Sequence, residues 1–172
     1  MILNRMLGLA AASLCLLSGC ASMDPHRNDP RLSVTFHEFD RADGRSWRAL
    51  VKQRRFDEAA ELIEAYLERQ PELTRDQDAV LRFHLGELLA IQGKNREAVS
   101  ELRRAYASAG STLPPNWNMY IDGIISFLNR DRETLATIAE QFANSERKDY
   151  HAAVEALLQN FDASYESIVF PK

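Results

Sequence analysis

Apolar residues recur along most of this chain at intervals of three and four. Ala59, Leu62, Ile63, Tyr66 and Leu67 follow the i, i+3, i+4, i+7, i+8 rule that lays one stripe along a helix. Leu81, Leu85, Leu88 and Leu89 make a second stripe, and Ile121, Ile124, Ile125 and Leu128 a third. Leu135, Ile138, Ala139 and Phe142 make another, and Val154, Leu157, Leu158 and Phe161 the last. Pro71, Gly93, Gly110 and Pro114-Pro115 fall between the stripes, so the pattern predicts short helices joined by tight connections. Such helices are marginal alone in water and must stack on one another. The expectation is an all-α domain over residues 45–172.

Upstream the period changes. Leu32, Val34 and Phe36 alternate with Ser33, Thr35 and His37, a period of two that predicts an extended segment. A lone strand has no partner in this chain, so residues 32–44 are expected to form an extended arm on the helical body, ending in a turn at Asp43-Gly44. Ser46 is a candidate N-cap for a helix opening at Trp47.

The stripes also repeat one another. Leu85, Gly86, Leu89, Gly93, Ala98, Leu102 and Ala105 form a segment that resembles a tetratricopeptide repeat, with small Gly86 and Ala98 twelve residues apart. Phe56, Ala59, Ile63 and Pro71 are similar to the second helix of a preceding repeat. Gly123 and Leu135 keep the twelve-residue interval downstream, although Leu135 replaces the small residue. Equivalent positions lie 39 apart from Ala59 to Ala98 and 37 apart from Gly86 to Gly123, against a family period of about 34. The extra residues fit longer connections at Pro71 to Asp76 and Gly110 to Pro115. The resemblance implies a tetratricopeptide-like right-handed array of helical hairpins: about three pairs over 45–145, with residues 147–161 as a capping helix. The alternative is an irregular helical bundle.

The N-terminus has a separate pattern. One cation, Arg5, precedes the uncharged apolar run from Met6 to Leu17, the layout of a secretory signal peptide and too short for comfortable spanning. The run ends in Leu17-Ser18-Gly19-Cys20, which resembles the lipobox of bacterial lipoproteins. That resemblance implies cleavage after residue 19 and acylation of Cys20, and Ala21 in place of Asp implies the periplasmic face of the outer membrane in a Gram-negative cell. An uncleaved anchor and an ordinary signal peptide cut nearby are the alternatives. Residues 20–31, with Pro25, Pro30 and several polar residues, have the composition of a flexible tether.

Composition limits the chemistry. The 172 residues are 45% hydrophobic and 27% charged, enough for one sizeable core. Lys and Arg number 21 against 25 Asp and Glu, so there is no basic excess for nucleic acid. Loss of residues 1–19 removes Arg5 and makes the net charge one unit more negative than the full chain's −4. The only cysteines are Cys15 and Cys20, which leaves no thiol nucleophile or cysteine metal site downstream. His26, His37, His84 and His151 are scattered, with no pair at metal-ligand spacing, and no phosphate loop or nucleophile elbow is present. No metal, cofactor or catalytic activity is expected.

A partner surface follows from the family resemblance, which places contacts on the first helix of each pair. The second pair contributes Val80, Phe83, His84, Glu87 and Ile91; the third, Trp117, Tyr120, Ile121 and Ile124; and the first, Arg48 and Lys52. Of these, Arg48, Lys52, Phe83, His84, Glu87, Trp117 and Tyr120 are the candidate groove. Trp117 and Tyr120 fit either the groove or the core beneath the capping helix. The expected role is a protein-interaction adaptor anchored through Cys20, contacting an envelope protein or peptide. A cell-wall hydrolase or its regulator, and a purely structural lipoprotein, are the other readings.

Overall fold

A computed structural model of the chain describes residues 28–41 and 46–171. The expected signal peptide, Cys20, His26, nearly all of the tether and the Asp43-Gly44 turn lie outside those residues. Among the described residues every regular element is helical. A single 3-10 turn at Pro30–Ser33 is followed by α1 (Phe36–Arg41), α2 (Trp47–Lys52), α3 (Phe56–Arg69), α4 (Arg75–Ile91) and α5 (Asn95–Arg104). Then come α6 (Trp117–Leu128), α7 (Arg132–Ala143), α8 (Lys148–Gln159) and α9 (Tyr165–Val169). The apolar stripes fall where the spacing predicts, on α3, α4, α6, α7 and α8.

Local chemistry sets the helix starts. Ser46 accepts from the Arg48 N–H as the N-cap of α2, as its position suggests. Thr74 and Gln77 close a reciprocal capping box at the start of α4, at 3.2 and 3.0 Å. Asp131 accepts from the Thr134 N–H at 3.0 Å at the head of α7. Each places an acceptor on amide groups that the helix itself leaves unpaired.

The ends of α2, α4 and α6 share one geometry. The middle residue of each three-residue turn is left-handed: Arg54 at φ 58°, Gly93 at φ 75° and Arg130 at φ 61°. In each turn that residue's N–H donates three residues back and the next N–H donates five back. The pairs are Arg54 to Val51 and Arg55 to Leu50, Gly93 to Ala90 and Lys94 to Leu89, and Arg130 to Phe127 and Asp131 to Ser126, all between 2.9 and 3.1 Å. This is the Schellman arrangement, which satisfies two otherwise orphaned carbonyls. The three left-handed residues are 39 and 37 apart, the same intervals found between the small residues in the sequence.

Consecutive helices pack as pairs, α2 on α3, α4 on α5 and α6 on α7, with α8 against α6 and α7. Gly86 permits the closest approach. A Cβ there would lie 2.7 Å from Leu102 Cγ and 3.2 Å from the Ala98 carbonyl oxygen, so α4 and α5 meet closely only because residue 86 has no side chain. At Gly123 a Cβ would meet Val154 of α8 at 3.0 Å and Ile138 of α7 at 3.6 Å. The core runs continuously from Leu32 and Phe39 through Leu62, Leu81, Leu102, Ile124 and Leu135 to Val154 and Tyr165.

Two terminal segments depart from the sequence expectation. Residues 30–41 form a 3-10 turn and α1 instead of an extended arm. Pro30 fixes the first turn and the Asp29 carboxylate caps it, accepting from the Arg31 N–H at 2.9 Å. The alternation still has a physical basis, because Leu32 is buried and Val34 and Phe36 pack against the core while Ser33, Thr35 and His37 are exposed; beyond them Phe39 is buried and stacks on Tyr66 at 3.8 Å between ring centroids. Tyr66 donates to the Val34 carbonyl at 2.9 Å and Gln70 to the Leu32 carbonyl at 2.8 Å, so the segment is fastened along α3. At the other end, residues beyond 161 turn back and form α9, which packs on α4 and α8.

Candidate functional site

A row of rings links the first helices of the three pairs, α2, α4 and α6, and continues to α8. Trp47 lies 4.8 Å from His84, Phe83 lies 4.8 Å from Trp117 and 5.9 Å from Tyr120, and Tyr120 stacks on Tyr150 at 4.3 Å with planes 3° apart. The Arg147 guanidinium covers Tyr150 from the end of the row, 3.6 Å from the ring centroid.

These rings are mostly internal. Phe83 is 6% exposed, Trp117 8%, and Ile121 and Ile124 are fully buried. Trp117 Nε1 donates to the Ala105 carbonyl at 2.8 Å, which ties α6 to the end of α5 and explains how the indole sits inside with its polar atom satisfied. Tyr120 is partly buried against the core. Burial drives its phenol upward in pKa, with Glu87, Tyr150 and Asp149 adding to the shift, so it stays neutral over the physiological range. The aromatic end of the expected partner surface therefore holds neighbouring first helices together.

The polar members of that surface come together as one network. Arg48 donates through Nε to the Asp40 carbonyl and through a terminal nitrogen to Asp40 Oδ1 at 2.9 Å. The same guanidinium lies 3.2 Å from His84 Nε2, and His84 Nδ1 lies 3.3 Å from Glu87 Oε2. Tyr165 of α9 donates to the other Glu87 oxygen at 3.2 Å. Asp40, Arg48, His84, Glu87 and Tyr165 thus connect α1, α2, α4 and α9. Asp40 is 6% exposed, and Arg48 supplies the charge-assisted bonds that a carboxylate needs at such a position. Lys52 is exposed at the end of α2.

Sequence reasoning supplied Arg48, His84 and Glu87 but not Asp40 or Tyr165. Asp40 lay in the presumed arm. Tyr165 followed the last long stripe, in a segment too short to give a periodic signal, although Ser164, which accepts from the Ser167 N–H, is a residue type favoured as an N-cap.

Outer surfaces carry other depressions. One, of about 410 Å³, is bordered by Glu64, Glu68, Glu101, Arg82 and Arg104 on α3, α4 and α5. Burial, then the like charges of Glu101, Glu61 and Glu68, push the Glu64 carboxyl above its ordinary pKa. Arg82 bridges Asp78 at 2.7 Å and Glu101 at 2.9 Å, which occupies most of the local charge. A second, of about 450 Å³, lies by Arg75, Asp78, Arg104 and Tyr106. Among the described residues no cluster of His, Cys, Asp and Glu is arranged to hold a metal ion, and no helix is long and apolar enough to cross a membrane. Comparison with protein-family models, curated proteins and solved structures gives no match for the chain.

Proposed function

We propose that this protein is a lipid-anchored envelope adaptor: a tetratricopeptide-like array of three helix pairs, held to the outer membrane through Cys20, that receives an envelope protein or peptide on the face of its first helices. The observation that carries the reading is the recurrence of one turn geometry at Arg54, Gly93 and Arg130, at the sequence's own 39- and 37-residue intervals. Stacked equivalent pairs present their first helices side by side, and such surfaces suit extended or helical ligands. Arg48, Lys52, His84 and Glu87 give this face a polar, partly exposed edge, while the ring row beneath fixes its shape. The lipobox supports the address on sequence grounds alone.

In-cell photocrosslinking from Lys52 on this face, compared with Glu133 on α7, tests the reading. A discrete adduct from position 52 and none from position 133 is the expected result; no adduct from either overturns the adaptor role. Cys20→Ser tests the anchor independently, with loss of acylation expected and continued acylation refuting the assignment.

A further inference from the structure

The C-terminal segment lies where a ligand of the first-helix face would lie. Tyr165 is 6% exposed, donates to Glu87 and sits 6.2 Å from the Phe127 ring of α6. Beyond it Glu166 pairs with Arg54, Ile168 packs on the core, and Phe170 meets Phe56 at 5.5 Å. The Arg54 guanidinium is 5.5 Å from both of those rings. Arg130 donates to the Phe161 and Ala163 carbonyls and stands over the Phe127 and Phe161 rings at 5.2 and 5.8 Å.

The turn geometry gives a second, independent pointer. A left-handed conformation disfavours any residue with a Cβ, and glycine is its default occupant. The middle turn has glycine, Gly93, whose surroundings are open. The two turns that place arginine there, at Arg54 and Arg130, are the two whose side chains grip the C-terminal segment. Backbone conformations of this kind persist only where the surrounding structure over-determines them, and they cluster at ligand clamps; a third such residue, Asn116 at φ 65°, bonds Ser145 instead.

We propose that Arg54 and Arg130 form a clamp on the first-helix face, that residues 161–171 are its resident ligand, and that the partner displaces them with a short helix of the same chemistry. That helix carries an aromatic residue followed directly by an acidic one, with an aliphatic and an aromatic residue three and five places after the first. Tyr165 would be replaced by an aromatic group reaching Glu87, and Glu166 by a carboxylate reaching Arg54. Two properties suit the segment to exchange. Its helix has five residues, and its ion pair with Arg54 is between half-exposed side chains, which contributes little in water. The inference rests on the adaptor reading and specifies its ligand, but its test needs no client and so fails separately from the crosslinking experiment.

A full chain with a protease site inserted between Asp162 and Ala163 is folded in detergent, cut, and mixed with a fluorescein-labelled peptide of residues 163–172. Fluorescence anisotropy is expected to show uptake by the cut chain, with affinity about tenfold weaker for the uncut chain and for a cut chain bearing Arg54→Ala. A peptide carrying Glu166→Lys is expected to bind about tenfold more weakly than the native one. Uptake indifferent to Arg54 and Glu166, absence of uptake, or loss of helical circular dichroism on release of the segment each overturns the clamp. Formation of dimers by the uncut chain with no peptide uptake also overturns it, since the occupant would then be a second copy.

Discussion

Arg54 and Arg130 occupy corresponding left-handed positions in the first and third hairpin turns, and both reach the same C-terminal segment, Arg54 at Glu166 and Arg130 at the Phe161 and Ala163 carbonyls. A left-handed residue with a side chain costs about 1–2 kcal/mol relative to an ordinary conformation. Replacing either arginine with glycine relieves that cost while removing its contacts to residues 161–170. The expected outcome is a whole-domain unfolding free energy in urea changed by no more than about 1 kcal/mol, with faster amide exchange confined to α9 and the residues leading into it. Slowed exchange at α9 in Arg54→Gly would show that the side chain does not hold the segment.

Gly86 and Gly123 occupy equivalent positions but face different neighbours, and their substitution should separate accordingly. Gly86→Ala drives a methyl into the Leu102 side chain and towards the Ala98 carbonyl, and a destabilisation of about 1–3 kcal/mol is expected in chemical denaturation. Gly123→Ala meets a Val154 methyl at 3.0 Å and has only side-chain atoms among its nearest neighbours, so its cost should be the smaller. Combining Gly86→Ala with Leu102→Ala should cost less than the sum of the two changes, because the second removes the atoms that the first collides with.

Trp117 joins α6 to α5 through both packing and one buried hydrogen bond. Trp117→Phe is expected to lose about 1–3 kcal/mol by leaving the Ala105 carbonyl without this donor, and Trp117→Ala about 3–5 kcal/mol. Thermal melts of the two variants distinguish the contributions. Equal losses would show that the hydrogen bond carries little of the effect.

Acid should loosen the connections before the core. Asp76 accepts from the Ser111 hydroxyl and from the Thr112 hydroxyl and N–H, each at 2.7 Å, fastening the start of α4 to the long α5–α6 connection. These bonds hold its carboxyl below the ordinary value, as the Thr134 bonds do for Asp131, and the Arg147 pair lowers Asp149 to about 2. Since the folded pKa values are depressed, the stabilisation is present above about pH 4 and is lost as pH falls through the lowered values. Wild-type urea midpoints are expected to fall between about pH 4 and pH 2. Asp76→Asn should lower the midpoint at neutral pH and flatten that dependence.

The fold was legible to the extent that one helix face is apolar and the other is not. The stripes on α3, α4, α6, α7 and α8, the Ser46 cap and the Gly86–Ala98 approach all follow from residue spacing, because each reports a local steric or hydrogen-bonding need. Residues 32–36 misled for a physical reason: a 3-10 turn followed by a helix start turns Leu32, Val34 and Phe36 towards the core, and over so few residues the two periods overlap. The candidate site was harder to read. Phe83 and Trp117 fall at first-helix positions, yet spacing does not distinguish a side chain facing a groove from one packed on the next first helix. The role of Glu87 depended on α9, whose five residues are too few to show a period. The turn arginines carried a signal in retrospect, since the intervals that relate the small residues also align Arg54 and Arg130 with Gly93.

A stack of helix pairs is ordinarily an open chain of neighbours, in which either end can fray without disturbing the other. Here the last residues return to the first hairpin, where Phe170 and Glu166 meet Phe56 and Arg54, so the sequence of contacts closes on itself. Release of α9 therefore withdraws contacts from the first hairpin, α4 and α8 at once, and a change at the first hairpin has a direct route to the far end of the stack through this one segment.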